Sequence, residues 1–207
     1  MRGASRAGRL ARFASGTGPL VQGRSADLLL GSPVMAVPSP ELHPALGPVK
    51  FLLGTWRGTG QGSYPTIESF SYVEEISFGH VGKPFLAYSQ RTRHAETNLP
   101  LHAETGYWRM VGPCDLEVVL AHPTGILESF VGVVESTVEA ADYGGDHGGV
   151  HRIELQCDQI VRSPTAVSVT ETKRVFTIEG DALTYDVSMA AADQPLTHHL
   201  TAHLIKV

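Results

Sequence analysis

From Glu68 to the last residue, apolar and polar positions alternate along most of the chain. Successive side chains of a strand point to opposite faces, so a period of two marks a half-buried strand. Phe70, Tyr72, Glu74, Ile76 and Phe78 share one face of the first such stretch, and Leu86, Tyr88 and Gln90 share one face of the next. Further strands are predicted at 101–110, 116–121, 125–134, 150–156, 166–172, 173–178 and 182–189. Glycine, proline and aspartate punctuate them at 79–84, 111–115, 122–125 and 179–181, and a glycine-rich hairpin loop is expected at 143–149. Ahead of these, Gly54, Gly58, Gly60 and Gly62 surround a core Trp56, and glycine inside a strand marks a bend or a close backbone approach. Residues 44–53 read as a short apolar helical turn, placed to plug one end of a barrel. With the C-terminal stretch there are about ten strands, spaced by roughly 8–12 residues, and almost no helical periodicity. The predicted fold is all-β: a ten-stranded antiparallel up-and-down barrel with a short N-terminal helical turn. Closure removes the sheet edges and leaves an interior large enough for a ligand.

The first forty residues are different. No acidic residue precedes Asp27, while Arg2, Arg6, Arg9, Arg12 and Arg24 are basic and Ser, Gly and Ala fill the gaps. Residues 1–40 are therefore set apart as a disordered or targeting extension, with the barrel domain at 41–207. The composition of that extension matches a mitochondrial transit peptide, an untargeted tail, or sequence ahead of a start at Met35. Two cysteines, Cys114 and Cys157, make no disulfide framework and fit a reducing compartment such as the cytoplasm, although a bridge between them stays open. The formal net charge of −5 gives no broad attraction to nucleic acid, and no apolar run reaches the roughly 20 residues that cross a bilayer.

Candidate chemistry concentrates at the C-terminus, where His198, His199 and His203 fall on one predicted strand. Imidazole is a common metal ligand and an axial ligand of haem. Alternation puts His199, Thr201 and His203 on one face and His198, Leu200, Ala202 and Leu204 on the other. Patterning alone sends the leucine face to the core and His199 to water. A bend of the strand at the barrel mouth would reverse this, as would packing of Leu200 and Leu204 on a second subunit in a homodimer. Glu74 and Glu75 are adjacent, so they are not a carboxylate pair. An inward Glu74 needs a partner, with Arg91 or Arg109 as candidates. No Ser-His-Asp arrangement, phosphate loop or zinc spacing is present.

The chain resembles the nitrobindins over residues 44–207. The resemblance begins at Gly54-x-Trp56-x-Gly58-x-Gly60 and continues through Tyr64-Pro65-Thr66-Ile67, Tyr72-x-Glu74-Glu75 and Phe78-x-His80-Val81-Gly82-Lys83-Pro84. Leu101-His102-x-Glu104-Thr105-Gly106-Tyr107, Leu120-Ala121-His122-Pro123-Thr124-Gly125, Ser188-Met189, Gln194-Pro195-Leu196 and His199-Leu200 complete it. It implies a lipocalin- or fatty-acid-binding-protein-like barrel holding one haem b per chain, with His199 as the axial iron ligand and the catalytic residue. It also implies that Thr66, Leu101, His102, His122 and Met189 contact the haem. The implied activity is isomerisation of peroxynitrite to nitrate at ferric haem, with nitric oxide as a further ligand. His102 would be a distal polar group or pack on the porphyrin. The chain departs from the pattern at Val167, where no basic side chain stands to meet a haem propionate, and at the long 143–149 loop. The rival readings are a metal-free carrier of an apolar small molecule such as a fatty acid, and a bare interaction barrel.

Overall fold

The computed structural model describes residues 40–137 and 149–207. The expected extension at 1–40, but for its last residue, and nearly all of the 143–149 loop lie outside them. Among the described residues, ten strands form one closed antiparallel barrel. They are β1 (Gly54–Tyr64), β2 (Ile67–Gly79), β3 (Leu86–His94), β4 (Pro100–Met110) and β5 (Asp115–His122). There follow β6 (Ile126–Ser136), β7 (Val150–Arg162), β8 (Val169–Glu179), β9 (Ala182–Ala191) and β10 (Thr197–Lys206). Each strand pairs with the next in sequence, and β1 pairs with β10 to close the cylinder.

The alternation read from the sequence is the alternation of burial. Tyr72, Glu74, Ile76 and Phe78 of β2 point inward, as do Leu86, Tyr88, Gln90 and Thr92 of β3. One boundary differs from expectation. The two strands predicted at 166–172 and 173–178 are a single β8, because Thr172, Arg174, Phe176 and Ile178 continue one inward row with no turn between them. Strand β7 also runs past the predicted end at Gln156, to Arg162.

The glycines of β1 are a packing device. A Cβ on Gly60 would lie 2.2 Å from the Tyr72 ring, and one on Gly58 would lie 1.9 Å from the His203 carbonyl oxygen of β10. Only glycine lets β1 sit this close to β10 and to the inward ring of Tyr72. The chain enters β1 from a 3₁₀ helix at Pro44–Leu52, whose Leu46, Val49 and Leu52 are buried. Trp56 Nε1 donates to the Leu52 carbonyl at 2.8 Å, and Lys206 Nζ donates to the Phe51 carbonyl at 3.0 Å, pinning this plug to the barrel end where β1 starts and β10 finishes. The opposite end carries the β1–β2, β3–β4, β5–β6, β7–β8 and β9–β10 turns and, among the described residues, is open. Cys114 and Cys157 are both free thiols.

Candidate functional site

The open end holds a cavity of about 420 Å³, within the range of small-molecule sites, which run to about 300–1,000 Å³. Phe70, Ile126, Val169, Val187, Met189 and Leu200 give it apolar walls, and exposed Leu101 and Val167 stand at its rim. Polar groups that reach it include His102 and Glu104 of β4, His122 of β5, Glu128 of β6, Arg174 of β8 and His199 of β10. A larger hollow, about 610 Å³, lies on the outer face of β5–β7. Its one lining cation, Arg152, is already paired with Glu154 and Glu135, and its Glu117 with Arg109.

His199 reaches the cavity through a β-bulge. On the β9 side His198 pairs with Ser188 and Leu200 with Val187, so His199 has no opposite number there. An extra residue in one strand exchanges the faces of everything on one side of it. His198, expected beside the leucines, turns outward to Asp186 Oδ1 at 3.1 Å and Thr201 Oγ1 at 2.9 Å. His199, expected in water, turns inward and lines the cavity. Leu204 is buried in the barrel and Leu200 lines the cavity, so the bulge, and not a neighbouring subunit, reconciles the two faces. His203 stays on the outer surface.

The ring of His199 is oriented on two sides. Its Nδ1 lies 3.0 Å from the Ser63 carbonyl oxygen, an acceptor, so Nδ1 carries the proton and Nε2 keeps its lone pair. Ser63 sits at the irregularity of β1, between Gly62 and Tyr64, so two breaks in regular pairing meet here. The Tyr64 ring packs edge-on to His199 at 5.4 Å, while its hydroxyl accepts from Ala191 N at 2.9 Å. Burial holds the His199 imidazole below its ordinary pKa, against the opposing pull of the Ser63 carbonyl. A neutral imidazole with a fixed proton is the form that ligates metal.

Opposite lies a buried ionic network. Arg174 donates to Glu104 Oε1 at 2.6 Å and Oε2 at 3.0 Å, and to Glu128 Oε2 at 3.0 Å. Tyr88 OH donates to Glu104 Oε1 at 2.7 Å, and Thr172 Oγ1 to Glu128 Oε1 at 2.6 Å. His122 Nε2 donates to Glu128 Oε2 at 2.9 Å, and His122 Nδ1 lies 3.1 Å from His102 Nε2. Burial alone would raise both carboxyls, but Arg174 and the hydrogen-bond donors override it and hold Glu104 and Glu128 ionised, below the usual carboxylate range.

A second buried group lies deeper. Glu74 accepts from Gln90 Nε2 and from Tyr185 OH, whose oxygen lies 2.8 Å from Glu74 Oε2 and 3.0 Å from Tyr72 OH. Neither Arg91 nor Arg109 serves Glu74: Arg91 is exposed, and Arg109 pairs with Glu117 outside the barrel. Burial raises the Glu74 carboxyl to about 7, against the pull of those hydrogen bonds.

Of the residues singled out from sequence, Leu101, His102, His122, Met189 and His199 share the cavity wall. Thr66 lies in the exposed β1–β2 turn and is not among the lining residues. His80 is a turn residue whose Nδ1 accepts from Gly82 N at 3.3 Å. The reading by residue type passed over Glu104, Glu128 and Arg174. The signal was there: Glu104 lies four residues from Trp108, Glu128 two from Phe130 and Arg174 two from Phe176, each in phase with the buried face.

An open-mouthed barrel with an oriented imidazole over an apolar cavity defines a class, the ligand-binding β-barrels that can hold a planar metallocofactor. The particular family follows from comparison. Residues 45–206 match the model of the THAP4-like, heme-binding beta-barrel domain, and the chain belongs to that family. It is 51% identical over 167 residues to a protein of Nocardia farcinica named peroxynitrite isomerase, covering 81% of this chain and 94% of that one. It is 50% identical over 164 residues to peroxynitrite isomerase 2 of Mycobacterium avium, covering 79% and 96%. The crystal structure of Rv2717c from M. tuberculosis superposes with a TM-score of 0.73 at 46% identity, over 81% of this chain and 99% of that one. No helix among the described residues is long and apolar enough to cross a membrane.

Proposed function

We propose that this chain binds one haem b in the open-end cavity through His199 Nε2 and isomerises peroxynitrite to nitrate there, with nitric oxide as a second ligand of the same position. The observation that carries the reading is the bulge at His199. It turns one imidazole out of three into an apolar cavity and ties its Nδ1 to a carbonyl, leaving Nε2 as the ligating atom. When bound, haem supplies a ferric centre that acts as a Lewis acid toward an anionic oxidant.

The chain's own part is positional. Tyr64 and Ser63 fix the plane and tautomer of His199. Phe70, Val169, Val187, Met189 and Leu200 line the cavity with apolar surface and would exclude water from a bound haem. His102 and His122 bring ring nitrogens to the cavity wall, where they would hydrogen-bond a small polar ligand. The fatty-acid carrier is less well served. The interior guanidinium of Arg174, the cation a fatty-acid carboxylate would need, is already shared between Glu104 and Glu128.

The test is a haemin titration of the full chain followed at the Soret band, beside His199→Ala and His203→Ala. The wild type and His203→Ala should saturate alike, and His199→Ala should lose or displace the band. Equal binding by His199→Ala moves the ligand elsewhere, and no binding by any of the three returns the carrier reading. Peroxynitrite decay on the loaded wild type then tests the reaction.

A further inference from the structure

The cavity wall holds a second set of metal-ligating atoms, to which the haem reading assigns no metal. His102 and Glu104 lie two apart on β4, hence on one face, and His122 comes from β5. The separations are 3.1 Å between His102 Nε2 and His122 Nδ1, 3.7 Å between His102 Nε2 and Glu104 Oε2, and 3.4 Å between His122 Nδ1 and Glu104 Oε2. A tetrahedral zinc ion with bonds of about 2.0–2.2 Å needs ligand atoms about 3.3–3.6 Å apart. The three atoms therefore form one face of such a tetrahedron to within a few tenths of an ångström. Among the described residues they are the trio placed to hold a metal.

The surroundings are those of a built site. His122 donates its Nε2 proton to Glu128 Oε2 at 2.9 Å, the carboxylate–histidine arrangement that fixes a ligand ring and leaves Nδ1 as the lone pair. Glu128 is itself held by Thr172 and Arg174. Arg174 grips both oxygens of Glu104, fixing the carboxylate plane while Oε2 keeps a second lone pair. Glu104 and Glu128 side chains are only 2% and 3% exposed, whereas the His102 side chain is 36% exposed and gives an approach from the mouth. Two carboxylates against one guanidinium leave one negative charge for a cation to offset. Two imidazoles and one carboxylate suit a late first-row divalent cation, and hard ions such as calcium or magnesium are disfavoured.

The geometry points to a divalent transition-metal site, zinc by donor set, formed by His102 Nε2, His122 Nδ1 and Glu104 Oε2, with its fourth position open to the cavity. On binding, the proton that His102 Nε2 shares with His122 moves to His102 Nδ1 or to solvent, and both facing nitrogens turn their lone pairs to the ion. His102 and His122 face the same cavity as the proposed haem, but His199 takes no part in this site, so its test and the haemin titration fail separately.

Cobalt(II) is the probe, because tetrahedral coordination gives visible bands far stronger than those of the hydrated ion. The full chain without haemin is titrated with cobalt and then with competing zinc, beside His102→Ala, His122→Ala, His199→Ala and His203→Ala. The wild type, His199→Ala and His203→Ala should bind one equivalent with tetrahedral bands, and zinc should displace it. His102→Ala and His122→Ala should lose the bands. The His102 side chain is about a third exposed, so His102→Ala should keep the fold, and its far-ultraviolet circular dichroism checks this. Cobalt retained by His102→Ala, or absence of tetrahedral bands in the wild type, overturns the site and leaves a histidine hydrogen bond in its place.

Discussion

Replacing Glu74 by glutamine should stabilise the barrel at neutral and alkaline pH, although it removes a buried group that makes several hydrogen bonds. Burial lifts the Glu74 carboxyl from 4.5 to about 7. Between those values the folded chain binds a proton that the unfolded chain has released. Stability therefore falls as pH rises through this window. A separation of about 2.5 pH units, at about 1.36 kcal/mol per unit, costs roughly 3 kcal/mol by pH 8 and almost nothing at pH 4.5. Glutamine is isosteric with the protonated acid. Its oxygen can accept from Gln90 Nε2, and its amide can donate to Tyr185 OH, which then donates to Tyr72 OH. The assay is urea denaturation of wild type and Glu74→Gln at steps from pH 5 to 8.5, comparing the difference between them so that all other titrations cancel. The difference should open with pH to about 3 kcal/mol in favour of the variant, or some 6–12 °C in melting temperature for a domain of this size. Parallel profiles, or a variant weaker at pH 8, would refute the claim that Glu74 is a penalised carboxylate.

Two further outcomes follow from the same interior. Arg174→Met should cost about 3–5 kcal/mol in denaturant unfolding at pH 7, because it strands Glu104 and Glu128 without their shared cation; a loss under about 1 kcal/mol would show that the cavity solvates them. Tyr64→Phe should cost about 1–3 kcal/mol, because the Ala191 N–H loses the buried Tyr64 hydroxyl as acceptor, and it should also weaken haemin affinity by loosening one side of the His199 ring; an unchanged midpoint would refute the first effect.

The barrel was legible because its signal is local. Each strand carries its own alternation, and the glycines of β1 announce a close approach before the partner, His203 or Tyr72, is known. The merging of 166–172 with 173–178 shows the limit. Both halves read as strand, and only the unbroken inward row from Thr172 to Ile178 tells one strand from two. Charged residues inside the barrel were legible in part, since Arg174 stands in phase with Phe176 and Glu128 with Phe130, yet which cation meets which carboxylate depends on how far around the cylinder β4, β6 and β8 stand. The face of His199 was legible only as an alternative, a bend of the strand at the barrel mouth, for a physical reason. A bulge belongs to a pair of strands. Against β1 the register runs without a break from Lys206 to Leu200, and against β9 it slips between His198 and Leu200. Nothing in the residues of β10 records that slip, because its cause is the mismatch between two neighbours. A period-two reading therefore assigns the wrong histidine to the interior with full internal consistency. The residue that best fits a ligand is the one at which the rule that found the fold fails, as expected where a site imposes its geometry on a strand that regular pairing would have kept flat.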